Sequence, residues 1–404
     1  MSDDDAPSWR ERLAKVASDL RDDLEHAGKL VGLDLGAERP YELITYLGFG
    51  NERRVLVHGR ALESPSLSVA SETDTTWRNL INTYKRVDAD ALPGARVRCR
   101  FAGVEQELVA DEEGFFRAWV DLPQGLPSAE PWQHAELQLL APLRPGQLDV
   151  RASARIRVAG SAPSFGVISD LDDTVIQSRI TSFFQAVRTV MLGNARTRLP
   201  FAGVAAFYLA LEKGGDGGRH NPIFYVSSSP WNIHDVIADF MEIQRIPHGP
   251  IMLRDWDFGL SALSNSRLKS HKEPLIGEIL DLYPSLPFIL IGDDSQQDPE
   301  IYRAILDRYP GRILAIYIRN VRLETERTES VKVLADQVQA AGSILVVADD
   351  TYATAIHAAE RGWITKASLP GIKEEKKADE GTTGTKADVP GMPDGKTTDT
   401  IVVE

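Results

Sequence analysis

One cysteine, Cys99, stands among 404 residues, so no disulfide can close within the chain and a reducing compartment fits. No stretch approaches the ~20 consecutive apolar residues needed to cross a bilayer. The opening MSDDDAPSWRERL has none of the apolar core of a signal peptide. Positive charge is also short: 45 Lys and Arg against 59 Asp and Glu give a net charge of −14. A nucleic-acid binder needs a basic patch against phosphates, which argues against that class. Broad attachment to anionic lipid is disfavoured on the same ground, whereas a local basic face is still compatible with peripheral membrane contact. The expectation is a soluble, cytoplasmic protein that binds no nucleic acid, with a peripheral membrane contact left open and no oligomeric state assigned.

The chain has room for two or three domains. Within residues 1–38, Trp9, Leu13, Val16, Leu20, Leu24 and Leu30 recur near helical spacing, with charges of both signs between them. This predicts an amphipathic helix packed on the body of the protein or on a second subunit, with a membrane-surface helix as the alternative that its mixed charges disfavour. Residues 39–160 read differently. Short β-rich runs such as ELITYLGF, RRVLVHGRAL, RVRCRF and GFFRAWVDL are separated by turn segments such as ADEEG. They predict an all-β, sandwich-like domain with no catalytic constellation of its own.

From 163 to 368 apolar strands alternate with amphipathic helices. FGVIS, PIFYVSS, FILIG, ILAIYI and SILVVA are nearly all apolar, as strands covered on both faces are, and NIHDVIADFMEIQRI and HKEPLIGEILDLY read as helices between them. The pattern predicts a doubly wound parallel sheet, hence an α/β fold preceded by the β-rich domain. Residues 176–222 are long for one connection and carry Phe207, Tyr208 and Leu211 at helical spacing, either as a small helical cap or as ordinary core. The Lys-, Asp-, Gly- and Thr-rich stretch 370–404 predicts a disordered tail, dispensable for activity.

In open α/β sheets ligands bind at the carboxyl ends of the strands. After FGVIS comes DLDDT, after PIFYV comes SSSPWN, after FILI comes GDDSQQD, and SHKEP opens a helix between the last two. One sheet edge should therefore gather Asp170, Asp172, Thr174, Ser227, Lys272, Asp293 and Asp298. So many carboxylates repel one another unless something positive joins them. Asp170, Asp293 and nearby backbone offer the hard oxygens Mg²⁺ prefers. Asp170 is placed to attack phosphorus and form an aspartyl-phosphate. Asp172 is placed to protonate the leaving oxygen and later to deprotonate water. Ser227 and Lys272 suit the phosphoryl oxygens, with Ser228, Ser229 and Lys269 as competitors. Asp173, His234, His271 and the pair Asp349-Asp350 read as ordinary turn, surface or capping residues. Trp231 is left between pocket wall and helix cap.

The order of these motifs resembles the haloacid dehalogenase phosphatase superfamily. DLDDTV, FYVSSSPWN, LRDWDFG, HK and IGDDSQQDPEIY together resemble the actin-patch-associated phosphatidate phosphatase family over roughly 165–365. The resemblance implies a Mg²⁺-dependent hydrolase that takes a phosphorylated substrate, phosphatidate, to diacylglycerol. It implies Asp170 as nucleophile and metal ligand, and Asp172 as acid/base whose backbone carbonyl also meets the metal. It implies Ser227 and Lys272 as phosphate holders, and Asp293 as completing the metal site with Asp298 beside it. Where the family commonly has Ser-Gly, this chain has Asp294-Ser295, so either Asp293 or Asp294 is the ligand. A soluble phosphometabolite as substrate, or a non-catalytic lipid- or protein-binding role on the same fold, are the alternatives.

Overall fold

The computed structural model describes residues 40–63, 90–126, 130–147, 149–159, 163–171, 203–218, 220–231, 234–254, 272–293, 298–319, 325–348, 350–382 and 401–403. The expected helix within 1–38 lies outside them.

The β-rich unit contains β1 (Tyr41–Thr45), β2 (Gly48–Gly50), β3 (Arg54–Glu63), β4 (Arg96–Phe101), β5 (Val104–Val109), β6 (Phe115–Asp121), β7 (Trp132–Ala141) and β8 (Arg151–Val158). Strict alternation decides which face is buried. In β4, Val97, Cys99 and Phe101 point into the core, while Arg96 and Arg100 face outward and pair with Glu107 and Glu105 of β5. The β-rich character expected of this region is present. The eight strands form a single hydrogen-bonded sheet in the order β1-β3-β2-β8-β7-β4-β5, with β6 also paired to β3. One apolar cluster draws on both ends of that order, from Leu43, Val55 and Val57 to Val97, Leu108 and Leu137. Strands far apart in that order therefore pack across one shared core.

The second unit is a seven-stranded sheet ordered β11-β10-β9-β12-β13-β14-β15. Its strands are β9 (Gly166–Asp170), β10 (Ile223–Pro230), β11 (Ile251–Arg254), β12 (Phe288–Asp293), β13 (Ile313–Arg319), β14 (Ile344–Ala348) and β15 (Ile401–Val403). All pair in parallel except β15, which runs antiparallel on β14. The helices are α1 (Val204–Lys213), α2 (His234–Ile243), α3 (Lys272–Leu282), α4 (Asp298–Arg308), α5 (Thr325–Ala340), α6 (Thr351–Glu360) and α7 (Leu369–Thr382). Successive strand residues face opposite layers: Val167 and Ile289 pack under α1, α2, α6 and α7, whereas Ile168 and Leu290 pack under α3, α4 and α5. Each such fully buried side chain contributes roughly 1.5–3 kcal/mol, which is why these strands read as unbroken apolar runs.

The two units share their cores. Phe49 and Leu56 join the layer under α3 and α4, with Phe49 edge-on to Phe224 at 5.4 Å, and Ile44, Tyr46 and Leu62 join the opposite layer. Asn51 Nδ2 donates to the Leu282 carbonyl and Tyr283 Oη to the Gly50 carbonyl, each at 2.9 Å.

One open reading is narrowed and one expectation changes. Part of 176–222 is α1, whose Val204, Phe207, Tyr208 and Leu211 are buried against the sheet, so this part is core and not a cap. Disorder from 370 is overturned for 370–382, which lie within α7. There Ile372 is buried, Lys376 Nζ pairs with Asp350 Oδ2 at 2.6 Å, and Glu375 accepts from the Ala206 N–H. A polar composition concealed one apolar anchor and two specific polar contacts. Residues 401–403 then add a strand, and 383–400 lie outside the described residues. Among the described residues no helix is long and apolar enough to cross a membrane.

Candidate active site

From β9 the chain winds outward through β10 to β11, then returns to the other side of β9 with β12 and winds the opposite way. The winding reverses between β9 and β12, and a crevice opens at such a switch point at the carboxyl ends of the strands. Asp170 is the last residue of β9 and Asp293 the last of β12, so the two carboxylates flank that crevice. Lys272 opens α3, and Asp298 opens α4, where a carboxylate suits the positive end of the helix dipole.

These side chains meet. Lys272 Nζ lies 2.6 Å from Asp170 Oδ1 and 2.9 Å from Asp298 Oδ1. The other Asp298 oxygen accepts the Asp293 backbone N–H at 3.2 Å. One carboxylate oxygen each from Asp170, Asp293 and Asp298 fall within 4.8 Å of one another. Relative exposure is 4% for Lys272, 2% for Asp170 and zero for Asp293 and Asp298. Three carboxylates removed from water beside the Lys272 ammonium call for positive charge, since ionised groups are buried only when compensated. The donor set, all hard oxygen, fits a divalent cation such as Mg²⁺. Asp298 uses its two oxygens on Lys272 and on the Asp293 backbone N–H.

Buried hydroxyl groups brace the two strand ends. Ser169 Oγ donates to the Asp170 carbonyl at 2.8 Å and shares a 2.7 Å hydrogen bond with Tyr208 Oη, and Tyr302 Oη donates to the Ile291 carbonyl at 2.7 Å. Burial first, then the carboxylates of Asp298, Asp170 and Asp293, push the Tyr302 phenol well above its usual range, so it acts as a neutral donor. Gly292 permits this packing, because a Cβ there would lie 2.4 Å from Asp298 Oδ2 and 2.8 Å from Tyr302 Oη.

Ser227 is fully buried where β10 leaves its ladders: pairing with β9 ends at Val226, and the register against β11 shifts between Val226 and Pro230. Its Oγ accepts the Ser229 N–H at 3.0 Å, folding the segment into a tight turn. Asp350, read from sequence as a turn residue, caps α6 by accepting the Ala353 N–H at 2.9 Å. Burial pushes its carboxyl up, but Lys376 and the capping bonds outweigh this and hold it below the usual range. Asp172, Thr174, Asp294, Asp173, His271 and Asp349 lie outside the described residues.

Sequence reasoning gave no role in the site to Ser169, Tyr208, Tyr302 or Arg319. Arg319 ends β13 in register with Asp293 and lines a cleft with Tyr208, Gly292, Asp350 and Thr351. Burial pulls its guanidinium down to about 10, against the charges of Tyr208, Asp350 and Asp293. Extending the survey of strand ends to ILAIYIR would have reached it. The tyrosines carry no comparable signal, because apolar spacing alone assigns them to core.

Fold and site together define a doubly wound α/β unit with a buried carboxylate–lysine centre at its switch point. Residues 165–320 match the family model described as the catalytic domain of phosphatidate phosphatase APP1. The resemblance read from the motifs therefore holds over this segment. The chain is 30% identical over 155 residues to phosphatidate phosphatase APP1 of Saccharomyces cerevisiae, and 28% identical over 157 residues to an uncharacterized protein of Schizosaccharomyces pombe. Each alignment covers 38% of this chain and 25% of the relative, so the chain spans about a quarter of the length of the curated relatives it matches. Among solved structures, a carbohydrate acetylesterase from Xanthomonas citri is 11% identical over 74% of this chain and 75% of that chain, with a TM-score of 0.26, too low to bear on the fold.

Proposed function

We propose that the chain is a metal-dependent phosphomonoesterase of the haloacid dehalogenase type, and that its substrate is phosphatidate, released as diacylglycerol and phosphate. The observation that carries the reading is the buried Asp170–Lys272–Asp298 assembly beside Asp293, at the one sheet edge where a ligand crevice is expected. The lipid rests on the name of the Saccharomyces relative, and a cytoplasmic enzyme meeting membranes peripherally fits it.

In this reading Asp170 attacks the phosphorus in line. The P–O bond to the glyceride breaks as the bond to the carboxylate oxygen forms, and Asp172 delivers a proton to the departing alkoxide. Water then attacks the aspartyl-phosphate, giving its proton to Asp172 and its oxygen to phosphate, which regenerates both carboxyl groups. Lys272 holds a phosphoryl oxygen and offsets the charge of the nucleophile, Asp298 keeps Lys272 in place, and Ser227 with neighbouring turn N–H groups takes a second oxygen. Asp170 and Asp293, with the Asp172 carbonyl, would hold a Mg²⁺ ion, which when bound neutralises carboxylate and phosphoryl charge together. We assign this place to Asp293, whose backbone N–H is held by Asp298.

The test is phosphate release from short-chain phosphatidate in detergent micelles, beside a panel of soluble phosphomonoesters, with Mg²⁺ or with chelator. We expect metal-dependent release that prefers phosphatidate and falls at least about a thousandfold in Asp170→Asn. Release only from soluble esters would overturn the lipid assignment. No release from folded protein would favour a binding protein.

A further inference from the structure

The Ser227 turn sits at an irregularity near the end of β10. Pairing with β9 ends at Val226, the register against β11 shifts between Val226 and Pro230, and the Ser229 N–H donates to Ser227 Oγ. Immediately after Pro230 the chain is anchored through Trp231. Its ring is enclosed by the β-rich unit: Tyr46 lies 5.2 Å from it and His58 meets it edge-on at 5.1 Å. His234, opening α2, stacks on Trp231 at 5.4 Å and contacts Tyr46 at 4.2 Å. All four rings are buried. Tyr46 and His58 are themselves fixed, since the Tyr46 N–H donates to the His58 carbonyl at 3.2 Å and His58 Nε2 meets the Leu47 carbonyl at 3.2 Å. The matched family segment begins at residue 165 and does not include these strands.

We propose that the β-rich unit is part of the catalytic apparatus, with Tyr46 and His58 as positioning residues that hold Trp231 and thereby set the Ser227–Ser229 turn for binding a phosphoryl group. The inference rests on the reading of Ser227 as a phosphate-holding residue. Neither side chain touches substrate. Both act through Trp231, so they should govern how well a phosphate is held more than how fast the bound ester reacts. A displacement of about 1 Å at such a group costs up to about a hundredfold.

The experiment uses the full chain, an aryl phosphate as soluble probe substrate, and inorganic phosphate both as competitive inhibitor and as calorimetric ligand. Tyr46→Leu and His58→Gln remove the ring contacts. Asn51→Ala and Tyr283→Phe remove hydrogen bonds across the same pair of units but away from the turn. The expected result is a rise of about tenfold or more in KM and in the phosphate dissociation constant for Tyr46→Leu and His58→Gln, with kcat changed much less. The Asn51 and Tyr283 variants should lower Tm and keep the phosphate affinity of the unsubstituted chain. Should Tyr46→Leu not fold, His58→Gln carries the same test. Unchanged phosphate affinity in His58→Gln, or an equal loss in the Asn51 and Tyr283 variants, would overturn the proposal. An unsubstituted chain that binds phosphate but hydrolyses nothing would refute the functional reading alone, and the affinities would still decide the role of Tyr46 and His58.

Discussion

Lys272 carries its ammonium group inside the protein and at the amino-terminal end of α3, where the helix dipole opposes a positive charge. The carboxylates at 2.6 and 2.9 Å help make that position tenable, and such a buried assembly is weak evidence for stability. The motif order in the sequence led to Asp170, Lys272, Asp293 and Asp298, because chemistry-bearing residue types at strand ends stand out against apolar strands. The partner of each was not legible: nothing in the spacing announces that Asp298 bridges Lys272 and the Asp293 N–H. His58 was passed over for the same reason, as its neighbours come from distant strands. Burial pushes its imidazole down from 6.5 to about 3, while a hydrogen bond to the Leu47 carbonyl opposes the shift. The unfolded chain therefore takes up this proton as pH falls through about 6.5 and the folded chain does not until about 3, so stability is whole above that window and falls within it. At pH 5 the loss is about 2 kcal/mol. Urea unfolding at pH 7.5 and pH 5 should show a difference about 2 kcal/mol smaller in His58→Gln, and an identical pH dependence would contradict a neutral, buried His58.

At the scale of elements, the strands of the α/β unit were legible because burial on both faces leaves only apolar residues to choose from. FGVIS, FILIG and ILAIYI appear as β9, β12 and β13. Helix α7 was not legible, since LPGIKEEKKADEGT is almost wholly polar and its place depends on Ile372 reaching the layer beside α1 and α6. One buried isoleucine is worth roughly 1.5–3 kcal/mol, and the partly exposed Lys376–Asp350 pair adds less. Two truncations isolate the contribution of this helix. A chain ending after Thr382 keeps α7, whereas one ending after Ser368 loses it and should melt about 5 °C lower. Both should hydrolyse substrate at 20 °C within a few-fold of each other, because α7 contributes no side chain to the carboxylate–lysine centre. Equal melting temperatures would contradict the packing of α7.

At the scale of the whole molecule, composition and the change of pattern near residue 160 separated a β-rich unit from an α/β unit, and the structure has both. The union between them left no trace in the sequence. Phe49 and Leu56 read as strand residues of one core yet belong to the layer under α3 and α4, and the pairing of β2 with β8 joins strands far apart in the chain. A contact that depends on the placement of two finished units has no local periodicity to reveal it. The site is likewise a property of the assembled molecule. The nucleophile candidate comes from β9, the lysine from α3, two carboxylates from β12 and α4, and the rings packed on Trp231 from Tyr46, between β1 and β2, and His58 of β3.

The mechanism proposed for the site stands or falls with the phosphorylation of Asp170 in turnover. The most direct measurement is rapid acid quenching of the full chain with radiophosphorus-labelled phosphatidate and Mg²⁺, with mapping of the protein-bound label. The expected result is label on the peptide containing Asp170, released by hydroxylamine as an acyl phosphate is, and absent from Asp170→Asn. Turnover without any protein-bound label in the first catalytic cycle, or label on another residue, would contradict it.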